Sequence, residues 1–267
     1  MDPEFRLSPL GMARLVQDCF CFFVAPFGLA AFDLRKRGLM WIISDITMDL
    51  SGERPFWGEP VEVELWLSES PKVKVVVETL ITYKGRTIMK GSCTWALLDT
   101  ATRKPADAGS ILRDVPVNAG QSLGLRRFVF PPSGEKAWDF SYPTLFSDTD
   151  FNYHVSNLSY IRLCTDAMPC DYLRSHALRF FSIRFLNESF LGDTLVCSVS
   201  HAEPRTGQDE SMDGWISSVE SEPGKTNVRV YSLYGPLVPQ SELADGEMEL
   251  RRYFGKKRKN RYEATCY

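Results

Sequence analysis

Asp148-Thr149-Asp150-Phe151-Asn152-Tyr153-His154-Val155-Ser156-Asn157-Leu158-Ser159-Tyr160-Ile161 joins two signals in one stretch. Its first half sets carboxylate, amide and imidazole groups at every second residue. From its second half onward, Leu158, Ile161, Cys164 and Met168 recur at helical spacing, which predicts a helix over 157–167. The helix is followed by apolar, β-branched runs at 180–185, 195–200, 215–219 and 227–234, each read as a strand.

The same order is visible upstream. Met12, Leu15, Val16, Cys19, Phe20 and Phe23 predict a helix over 12–23, with Cys21 and Phe22 on its other faces, so it is expected to be buried nearly all round. Val61-Glu62-Val63-Glu64-Leu65 alternates as a half-buried antiparallel strand does. Val73 to Tyr83 is a further strand, and Tyr83-Lys84-Gly85-Arg86 turns it back into 87–98. Trp57-Gly58-Glu59 and Leu191-Gly192-Asp193 sit at matching points, about half the chain apart. Such self-similarity points to two copies of one helix-plus-sheet unit. Gly and Pro mark the region from Gly120 to Gly134 as the link between them. The expected fold is therefore α+β: two tandem hot-dog domains, each a long central helix wrapped by a curved antiparallel sheet. Their bounds are 6–125 and 139–245, with a linker at 126–138 and a basic tail at 246–267. Met1 to Phe5 reads as a vector-derived leader and is left out of this division.

The length of 267 residues suits one large or two medium domains, and 44% apolar with 24% charged residues is ordinary for a globular chain. A net charge of -3 gives no case for a nucleic-acid partner. The apolar run from Cys19 to Phe32 is short for a bilayer and contains Pro26, so no membrane span is expected, and no basic segment precedes it to make a secretory signal. Seven cysteines, an odd number without a CxxC pair, fit a reducing compartment; no zinc site and no cofactor are expected.

The chemistry concentrates at Asp150, Asn152 and His154, His154 being one of three histidines in the chain. An imidazole or a carboxylate can take a proton from water, an amide can hold the water without titrating, and the open N–H groups at the helix start can polarise a carbonyl. The structural alternative is that Asp150 and Asn152 only cap the helix. Gly120-Gln121-Ser122-Leu123-Gly124 matches a nucleophile elbow but lacks the strand and helix that motif needs. Arg35-Lys36-Arg37 is either a solvated turn or a basic docking patch, and the Lys256-Lys257-Arg258-Lys259 run reads as a solvated tail.

Four segments in order give the chain a likeness to a known family. They are Leu39-Met40-Trp41-Ile42-Ile43 with Phe56-Trp57-Gly58-Glu59-Pro60-Val61-Glu62-Val63; Ser92-Cys93-Thr94-Trp95 with Thr102-Arg103; Asp150-x-Asn152-x-His154-Val155-x-Asn157-x-x-Tyr160-Ile161; and Asn187-Glu188-Ser189 before Gly192-Asp193. Together they resemble the acyl-acyl carrier protein thioesterases of bacteria and plant plastids, over roughly residues 10 to 235. The resemblance implies a thiolester hydrolase that releases free fatty acid from acyl carrier protein bearing a 4'-phosphopantetheine-linked acyl chain. It implies Asp150, Asn152 and His154 as catalytic, Glu188 on the neighbouring strand as their support, and a first domain that shapes the acyl pocket. Ser189 stands where plant members carry a cysteine. An acyl-CoA thioesterase and a non-catalytic acyl-carrier or lipid-binding module are the alternatives. A homodimer is left open, as is location in a bacterial cytoplasm or, for a plant source, a plastid stroma.

Overall fold

The computed structural model describes residues 2, 5–69, 72–126, 128–203 and 209–237; the basic tail at 246–267, with the run at 256–259, lies outside them. The first helix, α1, spans Pro9–Val24. It starts where the Ser8 hydroxyl accepts the Gly11 N–H at 3.1 Å with Pro9 as its first residue, a pre-set φ following a cap. Its buried face is Met12, Ala13, Val16, Phe20 and Val24. Phe22, by contrast, is 77% exposed, so the helix buries one stripe rather than its whole circumference. With the 3-10 turn that follows, Pro9–Phe27 is 19 residues of mean hydropathy 1.3, long and apolar enough by length and composition to cross a bilayer; the run counted from Cys19 underestimated it. In this fold, however, Phe20 stacks on Trp95 at 4.3 Å between ring centroids and meets the edge of Trp41 at 5.5 Å, inside the core.

After a short helix α2 (Ala31–Lys36) come β1 (Leu39–Leu50), β2 (Glu62–Leu67), β3 (Lys74–Tyr83) and β4 (Arg86–Asp99), then the one-turn α3 (Ala108–Ile111). The β3–β4 turn has Lys84 at φ 50° and Gly85 at φ 74°, the paired positive values a two-residue hairpin requires. The second half runs β5 (Ser133–Pro143), α4 (Asn157–Asp166), α5 (Cys170–Ser175), β6 (His176–Phe185), β7 (Thr194–Ala202), β8 (Asp213–Glu222) and β9 (Lys225–Pro236). β5 thus occupies the end of the segment read as linker. Its side chains are mostly exposed, which leaves little of the alternation by which a strand is recognised.

Among the described residues, nine strands form one sheet, in the order β2-β3-β4-β1-β6-β9-β8-β7-β5, with neighbouring strands antiparallel. The order reads outward from its middle as β1-β4-β3-β2 on one side and β6-β9-β8-β7 on the other, so the two halves repeat one strand order. They join where Thr47 faces Ser182, whose hydroxyls lie 2.9 Å apart in a buried hydrogen bond. α1 packs on β2 and β3, α4 packs on β8, and the two helices touch. A single hydrophobic cluster therefore runs beneath both, from Phe20 and Trp95 to Tyr160, Ile183 and Trp215. At the boundary between the halves, side chains from both can meet in one place.

Candidate active site

Asp150 to His154 forms the tip of a tight loop. Thr149 bridges Val155, the Asp150 N–H donates to the His154 carbonyl at 2.9 Å, and the Tyr153 N–H donates to the Asp150 carbonyl at 3.0 Å. Tyr153 takes φ 63°, the left-handed residue that closes such a three-residue loop. The Asp150 Oδ1 accepts the Asn152 N–H at 2.8 Å, so this carboxylate holds the loop itself. Ser156 then caps α4 by accepting the Ser159 N–H at 3.1 Å.

His154 pairs with Phe190 across a bridge, and their rings meet edge to face at 5.2 Å. Its Nδ1 lies 3.3 Å from Oε1 of Glu188. A carboxylate accepts and does not donate, so a proton on Nδ1 would be favoured by this neighbour and would leave Nε2 free to act as a base. Glu188 is not on a strand: it sits in the connection between β6 and β7, half exposed, where Arg103 also donates to its Oε1. Asn227 of β9, fully buried, holds that connection. Its Nδ2 donates to the Glu188 carbonyl at 3.0 Å while its Oδ1 accepts the Ser221 N–H at 2.6 Å.

A cavity of about 380 Å³ opens here, within the size range of small-molecule sites. Its walls are Ala31 and Arg35 of α2, Leu39, Met40 and Trp41 of β1, Thr100 and Arg103 after β4, and Phe151, Asn152, Tyr153 and His154 of the loop. Asn152 and His154 thus share the cavity with the first half of the chain, while Asp150 is not among the residues that line it. The wall on this side is the loop and not the first turn of α4, so the expected donors at the helix start do not line it. Of the basic cluster at 35–37, Arg35 reaches the site, its Nη1 3.5 Å from the Phe151 carbonyl, while Arg37 donates to the Gly28 carbonyl at 3.2 Å.

Three neighbouring groups are structural. Ser189 is fully buried, and its Oγ accepts the Tyr160 hydroxyl at 2.7 Å, which leaves it no route to a substrate. Burial pushes the Tyr160 phenol up to about 12. Asp148 is also buried. Burial alone would raise its carboxyl, but the Leu145 N–H, the Tyr142 hydroxyl and the Arg162 guanidinium outweigh that and hold it below the ordinary value. Residues 120–124, the elbow-like motif, form a loop without strand or helix, with Ser122 Oγ 3.4 Å from Glu78.

Among the described residues, similar contacts recur near the start of the sequence. The Asp2 N–H donates to the Arg6 carbonyl at 2.9 Å, Phe5 has φ 61°, Arg6 bridges Phe56, and Ser8 caps α1. Glu59 accepts the Phe56 N–H at 2.9 Å as Asp193 accepts that of Phe190 at 2.9 Å. Asp2 and Phe5 make these contacts from within the segment read as a leader. Arg6 bridges Phe56 as His154 bridges Phe190, and it is buried over Phe56 with its Nη1 donating to the Arg54 carbonyl at 3.1 Å.

Residues 9–114 match the model of the acyl-ACP thioesterase N-terminal domain, and residues 134–234 match that of the C-terminal domain.

The chain belongs to the acyl-ACP thioesterase family.

Among the relatives of this thioesterase-family chain is the chloroplastic acyl-[acyl-carrier-protein] hydrolase FATB1 of Cuphea viscosissima, 25% identical over 186 residues, 63% of this chain and 42% of that protein. The chloroplastic palmitoyl-acyl carrier protein thioesterase of Arabidopsis thaliana is 24% identical over 165 residues, 58% of this chain and 40% of its own length. The chain thus spans less than half the length of these curated relatives. Two solved structures share the fold. The 12:0-ACP thioesterase from Umbellularia californica has a TM-score of 0.74 at 18% identity, covering 88% of this chain and 90% of that one. An acyl-ACP thioesterase from Bacteroides thetaiotaomicron has a TM-score of 0.71 at 20% identity, covering 88% and 92%. Sequence marked Arg35 only as part of a candidate docking patch and Arg103 only as part of the family likeness, and it did not point to Asn227. An asparagine inside a strand pattern, where that residue is depleted, is the one available signal for Asn227.

Proposed function

We propose that this chain hydrolyses the thioester of fatty acyl-acyl carrier protein, using two tandem hot-dog domains that meet at β1 and β6. The observation that carries the reading is the His154 Nδ1–Glu188 contact of 3.3 Å on the wall of a cavity shared with Asn152. His154 Nε2 takes a proton from a water held by Asn152 while that water attacks the thioester carbonyl. The tetrahedral intermediate collapses, the carbon–sulfur bond breaks, and the departing phosphopantetheine sulfur receives the proton from His154. Free fatty acid and the carrier thiol result. Asp150, whose Oδ1 accepts the Asn152 N–H, shapes the loop that aims Asn152 and His154 and keeps a second carboxylate oxygen for the water. Ser189, buried behind Tyr160, takes no part as a nucleophile. The first domain supplies the acyl side of the cavity through Leu39, Met40 and Trp41. Arg35, on the cavity wall, gives it positive charge suited to an acidic carrier, while the charge of Arg103 is paired with Glu188.

Mass spectrometry of fatty acids released from a mixed acyl-carrier pool tests this. The wild-type chain should release free acid. His154→Ala and Glu188→Gln should lower the rate by roughly 100-fold or more, as the loss of a general base and its orienting group does. Full release by His154→Ala, or none by the wild type, would sink the proposal. Faster turnover of acyl-CoA than of the acyl-carrier thioester would favour the CoA alternative.

A further inference from the structure

Glu188 is gripped from the opposite half of the chain. Arg103 lies just beyond β4, at φ 59°, a conformation that residues with side chains rarely adopt. A dedicated turn holds it there. The Asp99 carboxylate accepts the N–H groups of Ala101 at 3.1 Å and Thr102 at 2.7 Å and the Thr102 hydroxyl at 2.8 Å. The Arg103 N–H in turn donates to the Asp99 carbonyl at 2.9 Å. The Arg103 Nη1 rests 3.3 Å from the Met40 sulfur on the cavity wall, and Nη2 donates to Glu188 Oε1, the oxygen that faces His154.

We propose that Arg103 is a positioning residue, a clamp that fixes the Glu188 carboxylate so that its Oε1 meets His154 Nδ1 and sets the tautomer and aim of the imidazole. The inference rests on the hydrolase reading for its effect on rate, but not for the clamp itself. An ion pair with both partners about two-fifths exposed is ordinarily a weak surface contact. Three things set this one apart: the acceptor oxygen is shared with the histidine, the donor's backbone is held in an uncommon conformation by Asp99, and its other nitrogen is seated on Met40. It also means that the site is completed only when both halves of the sheet are joined, because the clamp comes from one half and the imidazole from the other.

A double-mutant cycle decides the matter, since a residue that acts only through a second has no effect once the second is gone. Arg103→Ala should lower kcat by roughly 10- to 100-fold with KM little changed, the scale of a small misplacement of reacting groups. Arg103→Lys should recover part of the loss, and Arg103→Ala added to Glu188→Gln should cost nothing further. Independently of activity, the ring 15N signals of His154, one of three histidines, should move in Arg103→Ala without substrate present. Losses that multiply in the double variant, or unmoved His154 signals in a folded Arg103→Ala protein, would overturn the clamp. Were the wild type to release no fatty acid, the hydrolase reading would fall while the ring signals still decided the role of Arg103. Should Arg103→Ala not fold by circular dichroism, Arg103→Gln, which keeps the stem of the side chain, carries the same measurements.

Discussion

Replacing Asn227 by alanine should unsettle the site from 39 residues away in the sequence, through two hydrogen bonds. The buried Asn227 amide ties the Glu188 carbonyl at 3.0 Å to the Ser221 N–H at 2.6 Å, bracing the connection that carries Glu188 against β8 and β9. Each such bond contributes about 1 kcal/mol net, and leaving a partner unsatisfied where water reaches poorly costs about 1–3 kcal/mol. The loss should therefore be about 2–4 kcal/mol, with both partner groups only partly buried. For a chain of this size, each kcal/mol lowers Tm by about 2–4 °C, so the midpoint should fall by about 4–16 °C in a thermal melt. Asn227→Asp keeps an acceptor for Ser221 but loses the donor to Glu188 and buries a charge, so it should fall at least as far. Activity should drop with both, because Glu188 loses its backbone anchor. A melt within about 1 °C of wild type for Asn227→Ala, with unchanged turnover, would refute the reasoning, since so small a shift is well under one hydrogen bond.

Asp148 makes stability pH-dependent: its folded value lies below the ordinary one, so its contribution is fully present above about 3.9 and is lost as pH falls through the lower folded value. Asp148→Asn should be less stable than wild type near neutrality, and urea melts should show the gap closing as pH drops below about 4; a gap that stays constant would contradict this. Ser189→Ala should cost about 1–2 kcal/mol, by stranding the Tyr160 hydroxyl, while fatty acid release per folded molecule stays near wild type. A collapse of the rate in a folded Ser189→Ala protein would show that the serine reacts.

Much of the framework was legible locally. Met12 to Phe23 recur at the spacing of α1, Val61 to Leu65 alternate as half of an antiparallel pair does, and Lys84-Gly85 closes a hairpin by its own backbone preferences. Asn152 and His154 were readable because they sit in one short loop. β5 was hidden because its exposed side chains give no periodic contrast. Asp2 and Arg6 were hidden because their likeness to Asp150 and His154 lies in hydrogen bonds rather than in residue types. The short charged cluster at Arg35 gave no sign of which cation would reach the cavity.

By itself, the sequence determined the two long helices and every strand except β1 and β5, that a helix-plus-strand order occurs twice, and which loop carries the imidazole. These follow from side-chain periodicity and turn chemistry within a few residues of each other. Only the tertiary structure decided that both halves share one sheet through β1 and β6, that Glu188 turns from a connection toward His154, and that Arg103 arrives from the other half to hold it. Such pairings depend on strand register and on burial across the join, which are properties of packing and not of any local stretch of chain.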